Sequence, residues 1–201
     1  VYIDLPAVSL PISQWTSACT DDRLMNHLLA LFWTWDNMVE PTILRPLFEE
    51  GLSNNNSTFC TPFLVNALLA LSCVSKCHRS FLRLKLTIQL FTTEDATFSD
   101  PEDRTTRGRR FAEEAEKHLE KEKDQLSIPL LQGQFAMFAY EGNVDGGTKA
   151  IDYFMRTVET YEALNIPNLL DSQSQEQSDG KGETQSQKER EGLSWAMWGL
   201  Y

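Results

Sequence analysis

Thr61-Pro62-Phe63-Leu64-Val65-Asn66-Ala67-Leu68-Leu69-Ala70-Leu71 is the stretch that decides how this chain folds. Thr61 suits a helix N-cap, and Pro62 fits the first helical position, where its missing N–H would have no intrahelical partner. From Phe63 to Leu71 every position but Asn66 is apolar, so the helix, running to about Lys76, has no face to give to water. A helix apolar all round belongs at the centre of a domain. The apolar run from Leu64 to Val74 includes Asn66 and Ser72. It falls short of the roughly 20 residues that a membrane-spanning helix needs.

Other helices follow on both sides. Towards the N-terminus, Leu24, Met25, Leu28, Leu29, Phe32 and Trp35 recur at helical steps. They predict a helix from Asp21 to about Met38, with Asp21 or Thr20 as its cap. Residues 1–19, with Pro6 and Pro11, read as an extended lead-in. Pro41 and Pro46 leave room for a short helix from Thr42 to Phe48, closed by Gly51. Residues 53–58 read as a polar loop, although Asn55 and Asn56 each begin a glycosylation sequon.

Towards the C-terminus, residues 104–124 predict a charged helix with a narrow stripe of Phe111, Ala112, Ala115 and Leu119. Its many charges suit a solvated outer face. Ser127 and Pro129 open another helix, with Leu130, Leu131, Gln134, Phe135 and Phe138 on one side and Gly142 near its end. After a turn at Asn143–Gly147, a helix from Thr148 to Leu164 carries Ile151, Phe154, Met155, Val158 and Tyr161, and stops at Asn165 and Pro167. A short connection makes these last two helices antiparallel neighbours. From Asp171 to Arg190 no side chain is aromatic or aliphatic, which predicts a disordered linker over residues 170–190. Residues 191–201 read as the truncated start of a further helical segment, with Trp195, Met197, Trp198 and Leu200. The chain therefore looks like a piece of a longer protein. One stretch departs from helical spacing: Leu82, Leu84, Leu86, Ile88 and Leu90 alternate with polar residues, a strand pattern without a partner.

The fold class predicted is all-α, an irregular multi-helix domain of antiparallel helix pairs, with its body at residues 20–169. A length of 201 residues with 41% hydrophobic content suits one domain. The net charge of -11 argues against a grip on nucleic acid, which needs surplus Lys and Arg. It equally argues against a polybasic membrane anchor. The first twenty residues lack the basic, apolar pattern of a secretory signal.

No chemistry assembles from motifs. Cys19, Cys60, Cys73 and Cys77 form no Cys-x-x-Cys pair, and a structural zinc site with Cys73, Cys77 and His78 would still lack a fourth ligand. These cysteines read as buried reduced thiols. Gly146-Gly147-Thr148-Lys149 could cradle an anion, but it follows a helix and reads as a helix–helix turn. His27, His78 and His118 are scattered. The prediction is no enzyme, with no catalytic, cofactor or metal residue in this chain.

Taken in order, several segments resemble the middle homology region of fungal zinc-cluster transcription factors. Leu31-Phe32-Trp33-Thr34-Trp35 followed by Pro41-Thr42-Ile43-Leu44-Arg45-Pro46-Leu47-Phe48 is similar to that family's aromatic helix and the apolar segment after it. Phe59 to Leu71 is similar to its most recognisable helix, with the pattern Leu-x-Asn-Ala-x-x-Ala. Phe111 to Leu119, Ile128 to Gly133, Tyr140-Glu141-Gly142, Ala150 to Leu164 and Trp195 to Tyr201 resemble the blocks that follow. Members resembling nitrate-assimilation regulators are the nearest in pattern. The resemblance implies a regulatory domain of a nuclear protein acting on transcription by RNA polymerase II. It implies that DNA and zinc are bound by a six-cysteine cluster near the N-terminus of the full protein, absent from this chain. Partners would be the transcription machinery or a second copy, with no membrane and with a small-molecule effector possible. Residues 78–92 depart from the pattern, as a lineage insertion or as a translated intron. The alternative is a tetratricopeptide-like interaction scaffold, because residues 130–166 look like one such unit. A solenoid would show about three.

Overall fold

A computed structural model describes residues 9–37, 42–74, 103, 106–144, 147–165 and 183–200. The described residues form helices α1 (Asp22–Leu31), α2 (Arg45–Asn54), α3 (Pro62–Val74), α4 (Arg109–Glu122), α5 (Ile128–Val144), α6 (Thr148–Leu164) and α7 (Glu183–Leu200). The all-α class is as expected. The alternating stretch at 78–92 lies outside the described residues, as do Cys77 and His78.

α3 is the axis. Every residue from Phe63 to Val74 is buried, and α1, α4 and α5 pack around it. α4 lies antiparallel to α3 and is pinned at both ends. At one end Gly108 takes φ 69°, and a Cβ there would stand 2.7 Å from the Ala70 carbonyl oxygen. Only glycine meets both demands. At the other end Glu122 reaches the start of α3, where its Oε1 accepts the Phe63 N–H at 3.1 Å. That backbone N–H has no carbonyl one turn earlier within its own helix, so the carboxylate replaces water as its partner. The stripe Phe111, Ala112, Ala115 and Leu119 is buried as its spacing predicts. α5 approaches α3 closely at Gly133, where an added Cβ would meet the Phe63 ring at 2.5 Å.

Four expectations need correction. The lead-in is part of the body: Ile12–Gln14 is a 3-10 turn, Ile12 and Trp15 are buried, and Trp15 Nε1 donates to the Leu52 carbonyl at 3.1 Å. The first helix keeps the Asp21 cap, which accepts from Arg23 and Leu24 N–H, but beyond Leu31 it widens into a π turn, Phe32–Asp36. The wider turn lets the consecutive rings of Phe32 and Trp33 both reach the core, and Trp33 meets Phe48 at 5.6 Å between centroids. The next helix runs from Arg45 to Asn54, later than foreseen, and ends at left-handed Asn55. Gly51 lies inside it rather than closing it, at a place where a Cβ would crowd Cys60 at 3.0 Å.

The fourth correction concerns the linker. Its last residues belong to α7, which starts at Glu183 rather than near Glu191. Lys188 Nζ pairs with both oxygens of Glu50 at 2.6 and 2.7 Å, while Leu193 and Ala196 are buried. Those anchors hold a segment that has no apolar side chain of its own.

α5 and α6 are antiparallel, as the short turn requires. Glu141 and Lys149 approach near the turn, the tilted rings of Phe138 and Phe154 meet further along, and Leu131 shares a small apolar cluster with Tyr161, Leu164 and Leu193. The pair packs onto α3 through α5.

Candidate functional site

Two features stand out once the core is accounted for. The first is polar and buried. Asn66, within the apolar helix α3, has no exposed surface. Its Nδ2 donates to the Trp15 carbonyl at 3.1 Å and to the Pro62 carbonyl at 2.8 Å, and its Oδ1 accepts from Thr16 Oγ1 at 2.6 Å. Asn26 on α1 does the same for Leu10, accepting its N–H at 3.0 Å and donating to its carbonyl at 2.8 Å. Two asparagines thus satisfy backbone groups of a segment that makes little regular structure, which would otherwise be buried unbonded. Ser17 joins the same edge, donating to Glu114 Oε1 at 2.7 Å. Lys117 hydrogen-bonds the other oxygen of Glu114, and with Ser17 it holds that carboxyl down to about 2, against the effect of burial.

The second feature is apolar and exposed. α6 buries Ala150, Tyr153, Thr157 and Thr160, a row of mostly small or polar residues that lets it lie close to the body. Its apolar stripe points the other way. Ile151 is 62% exposed, Met155 51% and Phe154 47%, with Val158 half-buried beside them. At about 100° per residue the two rows are centred about 130° apart around the helix. The stripe is continuous with α5 through Phe154–Phe138 at 5.4 Å and Phe138–Phe135 at 5.9 Å between ring centroids. On its far side run the exposed carboxylates Asp152 and Glu159, with the exposed Arg156 one turn from each, and Glu162 follows the stripe two turns beyond Met155. Lys149 turns towards α4 and pairs with Glu116 at 3.0 Å.

Neither feature gathers an activated nucleophile among the described residues. Burial pushes the Cys60 thiol up, and Cys73 is pushed up to about 12, so both are held as thiols rather than nucleophilic thiolates. Cys19 is half-buried and free. Among the described residues no three His, Cys, Asp or Glu side chains gather as metal ligands. Among the same residues no helix is long and apolar enough to cross a membrane. Thr148 begins α6 directly after Gly147, as a helix–helix turn requires; Gly146 lies outside the described residues.

The chain is similar to three fungal regulators. It is 31% identical over 132 residues to the notoamide biosynthesis transcriptional activator notL' of Aspergillus versicolor, a match covering 65% of this chain and 18% of that protein. It is 30% identical over 128 residues to the nitrogen assimilation transcription factor nit-4 of Neurospora crassa, covering 60% and 10%. It is 29% identical over 116 residues to the nitrogen assimilation transcription factor nirA of Emericella nidulans, covering 57% and 11%. The chain thus spans less than a fifth of the length of each relative. No family model and no solved structure matches it.

Proposed function

We propose that this chain is the regulatory domain of a fungal nuclear transcription factor, modulating transcription by RNA polymerase II through protein contacts. The similarity to three fungal transcription regulators carries the reading. A helical body that presents an apolar outer helix face supports it. DNA and zinc are assigned to a separate N-terminal cluster of the longer protein, in keeping with a net charge of -11 here. The function is therefore to restrain or permit activation, not to recognise a promoter or to catalyse a reaction.

The test joins the chain to an unrelated DNA-binding domain and an activation segment, and measures reporter transcription in a fungal host. The expected result is a changed output relative to the same fusion without the chain, at equal protein abundance. Unchanged output would sink the regulatory reading.

A further inference from the structure

The exposed stripe of α6 has a chemical character that selects what covers it. Ile151, Phe154, Met155 and Val158 form one face at i, i+3, i+4 and i+7, the pattern by which two helices seat against each other. Large exposed apolar residues in one row mark an interaction surface, whereas single ones scattered over a surface do not. Asp152 and Glu159 border the row on the side away from α5, and Glu162 continues its line two turns beyond Met155. Lys149 is paired with Glu116 on α4, which leaves the exposed Arg156 as the cation of α6 beside these carboxylates. Three carboxylates against one arginine make the surroundings of the row acidic on balance.

We propose that the outer face of α6 docks an amphipathic helix of a partner protein, whose apolar stripe lies on Ile151, Phe154, Met155 and Val158 and whose flanking Lys or Arg side chains lie against Asp152, Glu159 and Glu162. This deepens the regulatory reading and rests on it only for the identity of the partner's process. A second copy of this chain is the poorer occupant. Two copies of α6 related by a twofold axis and packed antiparallel bring the same flank of each helix together, so carboxylates would face carboxylates. A helix with basic flanks reverses that repulsion and speeds encounter with a chain this acidic.

Two synthetic helical peptides with the same leucine stripe test the proposal, one with lysine flanks and one with glutamate flanks, titrated against the whole chain by fluorescence anisotropy. Saturable binding of the lysine-flanked peptide alone is expected. Ile151→Ser combined with Met155→Ser should weaken it by about tenfold or more, since central apolar anchors dominate such interfaces. Asp152→Lys with Glu159→Lys should transfer the preference to the glutamate-flanked peptide. Glu113→Lys with Glu191→Lys, exposed elsewhere and matched in charge, should leave it in place. Equal loss in both charge-reversed variants, binding indifferent to the serine pair, or self-association of the chain that Met155→Ser abolishes would each overturn the proposal. The reporter experiment is independent: peptide binding without a transcriptional effect leaves the docking face standing and removes the regulatory reading.

Discussion

α3 and α6 are both helices with strong apolar content, and they spend it in opposite directions. α3 is apolar nearly all round and buried from Phe63 to Val74, and its two polar side chains are bonded, Asn66 to residues 15, 16 and 62 and Ser72 to the Leu68 carbonyl. α6 has apolar and polar rows in equal measure, yet turns Ala150, Tyr153, Thr157 and Thr160 inwards and Ile151, Phe154 and Met155 outwards. Thr157 can sit inside because its hydroxyl donates to the Tyr153 carbonyl one turn earlier, at 2.7 Å. The lesson is that a helical stripe tells where apolar residues align, not which side of the helix the body occupies. Small residues that permit close approach can win the inner face, and the large residues are then left for something else.

The sharpest way to break this contrast is to remove equal amounts of apolar bulk from both helices. Leu68 has no exposed surface. Leu68→Ala should destabilise the chain by about 2–5 kcal/mol, measured by urea unfolding, because it leaves a cavity in the axis helix. A smaller effect is expected from Asn66→Ala, about 1–3 kcal/mol, since it strands the Thr16 hydroxyl and the Trp15 carbonyl inside the body. A loss within error of zero would mean that residues 10–17 detach without consequence for α3. The smallest effect belongs to the outer face. Ile151→Ser should change unfolding free energy by no more than about 0.5 kcal/mol. A loss as large as that at Leu68 would show that the α6 stripe is covered within the chain, and the contrast between the two helices would collapse.

The central helix was legible because a run apolar on every side admits one placement. Its partner α4 was legible because a narrow stripe among many charges can face only inwards. α6 was not, since Ile151, Phe154, Met155 and Val158 have the spacing of a core face and the buried threonines look like surface residues. A signal was present in the row Ala150, Thr157 and Thr160, whose small volumes suit a tight crossing, but periodicity of large residues outweighs it to the eye. Asn66 was visible as part of a recognisable pattern, while its task of bonding a distant segment exists only in three dimensions. The start of α7 at Glu183 was hidden for the same reason: Lys188 depends on Glu50, far away along the chain. Among the described residues no chemical motif marks the outer face of α6, which is visible only through its exposure.

The pinning of α4 onto α3 at both ends has a consequence for how the chain tolerates change in length. Gly108 rests against Ala70 and Cys73 near the end of α3, and Glu122 bonds the start of the same helix, so the two helices form a clasp. Whatever else joins them, closing that clasp also closes a ring of chain, and the entropy of closure is one term in its stability. That term grows with the logarithm of length, so halving or doubling the connection alters it by only about 0.6 kcal/mol.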